Sequence, residues 1–167
     1  MHIKKIFIFS IFLMLSFQVY GQLLGLGGQY AERSNGQFFV NAAYPTFYED
    51  NPLHLINLSG LEYTTRGGAR LSGLQIKPIQ LSSYLSDKIF YESPVVIALG
   101  IDAGYLFNFS KGYKNTIVLT PNFYADYKIF FLKTGYELDT LHGNHQFFVR
   151  VGVGFALGTM KHFRARY

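Results

Sequence analysis

Asp139, His142 and His145 come nearest to a reactive constellation in this chain. The D-x-x-H-x-x-H run offers one carboxylate and two imidazoles, the donor set of a zinc site. It lies in a polar hairpin around His142-Gly143-Asn144, where neighbouring side chains do not share a face, so solvated histidines are the expected reading. The residue types of a hydrolytic triad are all present, yet no serine stands in a nucleophile-elbow pattern. Gly25-Leu26-Gly27-Gly28 has the glycine density of a phosphate loop but lacks the Lys-Ser/Thr that follows one; it reads as small residues packed inside a barrel. The absence of cysteine excludes disulfides, thiolate catalysis and zinc–sulfur sites. No catalytic residue, no cofactor-binding residue and no metal ligand is therefore assigned, and the expectation is a protein that is not an enzyme. Glu62, Lys77, Asp102 and Arg150 are a different matter. They fall on predicted strands, and a charge withdrawn from water must be paired, so an internal salt-bridge network is expected.

The elements that must hold these residues are β-strands, because the strong periodicity after residue 22 is two. Val95, Ile97, Leu99, Ile101, Ala103, Tyr105, Phe107 and Phe109 form one face; Val96, Ala98, Gly100, Asp102, Gly104, Leu106 and Asn108 form the other. Phe147, Val149, Val151, Val153, Phe155 and Leu157 likewise oppose Gln146, Phe148, Arg150, Gly152, Gly154 and Ala156. Ile117, Leu119, Pro121, Phe123 and Ala125 oppose Thr116, Val118, Thr120, Asn122 and Tyr124. Strands of about ten residues, apolar on one side and small or polar on the other, are the pattern of a transmembrane barrel. Turn chemistry separates them. Asn35-Gly36 is a tight hairpin signal between 24–34 and 37–47. Further breaks fall before 53–65, before 69–81, across 82–94 and 111–115, near 126–128 and at 142–144. The count is eight, an even number that closes with no free edge, as a bilayer requires. The fold class expected is all-β: an eight-stranded antiparallel up-and-down transmembrane β-barrel, its interior just filled by side chains.

Composition agrees. Charged residues make up 15% of the 167, against roughly 25% in soluble globular proteins, while aromatic residues reach 18%. A soluble eight-stranded carrier also alternates, but with its charges outward; here the non-apolar face is Gly, Ala, Ser, Thr and Asn with a few ions. Tyr30, Tyr44, Tyr63 and Tyr105 fall near strand ends, where aromatic girdles belong. Residues 1–21 read as a secretory signal peptide: Lys4 and Lys5, an apolar run from Ile6 to Phe17, and Val19-Tyr20-Gly21 before Gln22. That run is too short for a membrane helix. Without it the chain retains a net charge of +3, too small and too scattered for nucleic acid. The domain plan is a signal peptide over 1–21, a barrel over 22–158, and a C-terminal strand extension or tail over 159–167. In that last stretch Phe163, Ala165 and Tyr167 keep the apolar parity, while Lys161, Arg164 and Arg166 add charge unsuited to lipid.

Gly60-Leu61-Glu62-Tyr63-Thr64-Thr65-Arg66-Gly67-Gly68 resembles the G-L-x-Y-x-x-[KR]-G strand and loop of PorT-like outer-membrane barrel proteins. Leu74-Gln75-Ile76-Lys77-Pro78-Ile79 is similar to their L-x-I-P-L strand, departing from it at Lys77. The stretch from Gly100 to Leu106 resembles G-x-x-x-G-Y-L, and Leu132-Lys133-Thr134-Gly135-Tyr136-Glu137-Leu138 resembles the closing hairpin. A similar strand order occurs in TraO-type conjugative-transfer barrels. The resemblance implies a cell outer-membrane location and a non-enzymatic envelope component in a secretion-type assembly, or alternatively in conjugative transfer. A lipid- or small-molecule-handling barrel, enzyme or carrier, is the remaining alternative. Implied partners are outer-membrane lipid, the barrel-assembly machinery and other envelope proteins.

Overall fold

A run of ten or more alternating residues leaves unpaired N–H and C=O groups along both edges until a neighbour covers each. In the computed structural model, which describes residues 22–32, 34–47, 55–84, 95–127 and 129–157, every strand has two such neighbours. The elements are β1 (Gln22–Ala31), β2 (Gln37–Phe47), β3 (Leu55–Thr64), β4 (Gly73–Tyr84), β5 (Val95–Asn108), β6 (Thr116–Tyr127), β7 (Phe130–Asp139) and β8 (His145–Leu157). Each pairs antiparallel with the next, and β8 returns to β1, closing an up-and-down barrel of eight strands. The predicted signal peptide and the 159–167 tail lie outside the described residues.

The β1–β2, β3–β4, β5–β6 and β7–β8 hairpins gather at one end, opposite Gln22 and Leu157. Their turns use the glycines read from the sequence: Gly36 and Gly143 adopt φ of 92° and 70°, a region costly for a residue with Cβ.

Three strands differ clearly from expectation. The first, predicted over 24–34, runs from Gln22 to Ala31 instead. The break at Arg66-Gly67-Gly68 predicts a fourth strand over 69–81, but β4 begins at Gly73 and runs to Tyr84. Ala69 and Leu71 are apolar because they pack inward from a loop, a pattern that periodicity cannot tell from a strand. The sixth strand extends to Tyr127, so the β6–β7 connection is shorter than the predicted turn near 126–128.

β4 also contains an irregularity. Between β3 and β4 the register jumps from Asn57↔Leu81 to Gly60↔Lys77, and between β4 and β5 from Ile79↔Ala103 to Ile76↔Tyr105. One extra residue therefore sits in β4 at Lys77-Pro78, where proline has no N–H to give the ladder. Inward parity changes there: Gln75 and Lys77 are buried before it, Gln80 after it. The backbone groups released by the bulge are taken up by β3, whose Asn57 Oδ1 accepts from Gln80 N–H (3.0 Å) and whose Ser59 hydroxyl donates to Pro78 O (2.8 Å).

Inside and outside are chemically inverted relative to a water-soluble domain. The strands carry eight charged residues: Glu62, Lys77, Asp102, Asp126, Lys133, Glu137, Asp139 and Arg150. All eight stand on the inward parity. The outward positions hold Leu26, Val40, Leu61, Ile76, Leu99, Ile101, Ile117, Leu132 and Val151, all exposed. Along β5 this apolar face spans the ten steps from Ile97 to Phe107. At about 3.3 Å per residue and a tilt of about 40° it is roughly 25 Å tall, the height of the apolar band on membrane barrels. The aromatic residues expected at strand ends flank that band: Tyr30, Tyr63 and Tyr105 toward the hairpin end, Tyr44 toward the other.

Candidate functional site

The interior is organised around Arg150 on β8. Its guanidinium makes two parallel bonds to the carboxylate of Glu62 on β3, Nη1 to Oε2 at 2.6 Å and Nη2 to Oε1 at 2.8 Å. This fork-on-carboxylate geometry is the strongest available to a charged pair. The remaining edge of Arg150 meets Gln29 Oε1 on β1, through Nε at 2.9 Å and through Nη2. Its planar group lies against the rings of Phe39 (4.6 Å to the centroid) and Phe148 (5.1 Å), two cation–π contacts. Gln29 continues to Gln37 at 3.1 Å.

Lys77 joins this pair to a second carboxylate. Its ammonium reaches Glu62 Oε2 at 2.9 Å and Asp102 Oδ2 at 3.3 Å. Asp102 on β5 also receives Lys133 Nζ from β7 at 2.6 Å and the Asn122 amide at 3.0 Å. The β4 bulge places Lys77 between two acidic strands. Glu62, Lys77, Asp102 and Arg150 thus come together as the sequence leads one to expect. Lys133, Gln29 and Asn122 complete the network and were not singled out, although Lys133 shares its parity with Gly135 and Glu137, opposite Leu132, Thr134 and Tyr136.

Above the network the barrel mouth is covered by the 65–72 loop. Gln146, fully buried on β8, holds it as a strand would: its Oε1 accepts from Leu71 N–H (3.0 Å) and its Nε2 donates to Leu71 O (2.8 Å). The same amide nitrogen donates to Glu137 Oε2 at 2.5 Å. Ser110 donates to Ala69 O (2.6 Å), Asn108 to Arg70 O (3.0 Å), and Arg70 to His145 O (3.0 Å). Ala69 packs with Ala31 and Phe148, and Leu71 with Leu106 and Val118. The cap therefore has its own small apolar core, and the carbonyls of Ala69, Arg70 and Leu71 are bonded, so it is a built plug.

The Asp139, His142 and His145 run is dispersed by the hairpin. Asp139 points inward, where its carboxylate accepts from Thr116, the Leu141 and His142 amides (3.0 and 2.9 Å) and the Asn144 side chain (3.0 Å). It fastens the β7–β8 turn. His142 Nδ1 lies 3.5 Å from it, while His145 stands on the outward parity beside the Tyr136 ring at 6.2 Å. Among the described residues no three His, Asp or Glu side chains converge on a point.

The glycine run is also corrected in part. Gly25 and Gly27 face inward as expected, but Gly28 is exposed on the outer face. Gly27 pairs with Gly152 across the β1–β8 seam. A Cβ on Gly27 would lie 2.1 Å from Val151 O, and one on Gly152 2.4 Å from Leu26 O. The closing strands approach too closely there for any side chain.

No protein-family model and no curated protein sequence matches the chain.

Proposed function

We propose that this barrel spans the outer membrane as a non-enzymatic envelope component. The observation that carries the reading is the inversion of polarity: all eight strand charges inside, an uncharged apolar band outside. In water that arrangement would expose a continuous hydrophobic belt, whereas in a bilayer it satisfies both the lipid and the backbone. The interior supports a structural role, because Glu62, Lys77, Asp102, Lys133 and Arg150 are engaged with one another, Glu137 and Asp139 are hydrogen-bonded by neighbouring side chains, and the mouth is plugged. The sequence resemblance to PorT-like barrels is what supports a secretion-type assembly as its setting, where it would anchor or scaffold larger envelope machinery. The barrel-assembly machinery and outer-membrane lipid are then its obligatory partners.

Insertion of charge separates this reading from a soluble barrel. Val151 is 56% exposed at the middle of β8. Val151→Arg should destabilise the protein refolded in lipid vesicles by roughly 2–4 kcal/mol. A variant that folds in lipid as well as the native chain, or a native chain that stays monomeric in buffer without detergent, would remove the membrane reading.

A further inference from the structure

The hairpin-end rim carries an unbalanced charge that the interior does not use. Arg66 on the β3–β4 loop and Lys111 and Lys114 on the β5–β6 loop are exposed, and none makes an ion pair among the described residues. Against these three cations the exposed part of that rim offers one described carboxylate, Glu32, on the β1–β2 turn. Asp139 at the same end is buried and engaged, and Arg70 is bonded to a carbonyl.

The loops that carry these cations are short and internally tied. Asn35 N–H donates to Gly67 O (2.7 Å), Ala69 N–H to Arg66 O (3.0 Å), Tyr113 N–H to Ser110 O (3.2 Å) and Asn108 N–H to Asn115 Oδ1 (2.9 Å). Ser110 bonds Ala69 O, which joins the two cationic loops. Backbone order here lowers the entropy lost when a ligand is held. Directly below them stand the outward aromatic residues Tyr63, Tyr105, Phe107 and Phe109; the Tyr63 and Phe109 rings lie 6.4 Å apart. Such rings sit at headgroup depth, so the cations lie one step further out, level with lipid phosphates.

We propose that Arg66, Lys111 and Lys114 form a docking surface for lipid headgroups of net negative charge, carried on phosphate, in the leaflet facing the hairpin end. This rests on the membrane reading above and adds to it a lipid preference. Cations held at an anionic surface attract it at short range and are screened by salt. Among the described residues, the short loops leave no protein layer between these side chains and the headgroups.

The test reconstitutes the full chain into phosphatidylcholine vesicles containing spin-labelled phosphatidylglycerol or spin-labelled phosphatidylcholine, and measures the motionally restricted fraction of each. The expected result is a preference for phosphatidylglycerol of roughly two- to fivefold, falling toward one in 1 M salt. The triple variant Arg66→Gln, Lys111→Gln, Lys114→Gln should abolish it while leaving the restricted phosphatidylcholine unchanged, which shows that the barrel remains folded and inserted. A native ratio near one, or a preference that survives in the triple variant, overturns the proposal. Restriction of neither lipid by the native chain would instead overturn the membrane reading itself.

Discussion

Glu62 receives two basic groups at once, the Arg150 fork and the Lys77 ammonium, so its carboxylate is the hub of the interior. Glu62→Gln keeps the shape and removes the charge. Lys77 would then rely on Asp102, and Arg150 on the Gln29 carbonyl oxygen and two aromatic faces. Breaking one partner out of a buried set costs more than the pair contributes, because the other charge is left desolvated. Unfolding by urea in vesicles should show a loss of roughly 3–5 kcal/mol. Lys133→Met is the contrasting case. Lys133 is partly exposed and touches Asp102, which keeps Lys77 and Asn122, so its removal should cost less than about 2 kcal/mol. Equal losses in the two variants would mean that the hub is not at Glu62.

The eight strands form one continuous ladder, and its weakest tolerance is at the seam where first meets last. Gly27 and Gly152 pair there with backbone so close that a methyl group would overlap the neighbouring carbonyl. Gly27→Ala and Gly152→Ala should each cost roughly 1–3 kcal/mol, since the seam must part to admit the methyl. Gly28→Ala is the control one residue away: the nearest atom to its Cβ is Gln37 O at 4.0 Å. It should change stability by less than about 0.5 kcal/mol. The same urea titration separates these cases, and a tolerant Gly152 would show that the seam can breathe. In β4 the opposite device operates: an extra residue is admitted, and Asn57 and Ser59 absorb the freed backbone groups. Both devices bend a flat ladder into a small cylinder.

For the molecule as a whole, two barriers lie in series along the axis: the ion network at mid-height and the Gln146-held cap at the hairpin mouth. An eight-stranded barrel leaves an interior just wide enough for side chains, and here charged and amide groups occupy it. Planar-bilayer recordings of the purified protein should therefore show no steady, reproducible conductance. Gln146→Ala removes both bonds to Leu71 but leaves the Arg150–Glu62–Lys77–Asp102 layer intact, so it should stay closed as well. A stable channel in the native protein would contradict the filled interior; one in Gln146→Ala alone would make the cap the sole barrier.

Strand number, strand faces and four members of the ion network were legible in the residue order, because period-two alternation is a local property and a charge among apolar neighbours identifies itself. Residues such as Leu99 and Ala98, or Val151 and Gly152, take the sides that their parity assigns them. Three features needed the closed barrel. Ala69 and Leu71 look like strand residues until a mouth exists for them to fill. Lys77 faces Glu62 and Asp102 together because a one-residue bulge rotates β4 at Pro78, a shift visible only against both neighbouring strands. Gln29, Gln37 and Gln146 read as ordinary polar residues, yet they terminate the network and hold the cap through partners as far as 121 residues away in the chain. The residue order determined which side chains leave the water, since that follows from neighbours one and two positions away. Closure alone decided which of them meet, because pairing across a cylinder depends on register, bulge and seam, which are set by all eight strands at once.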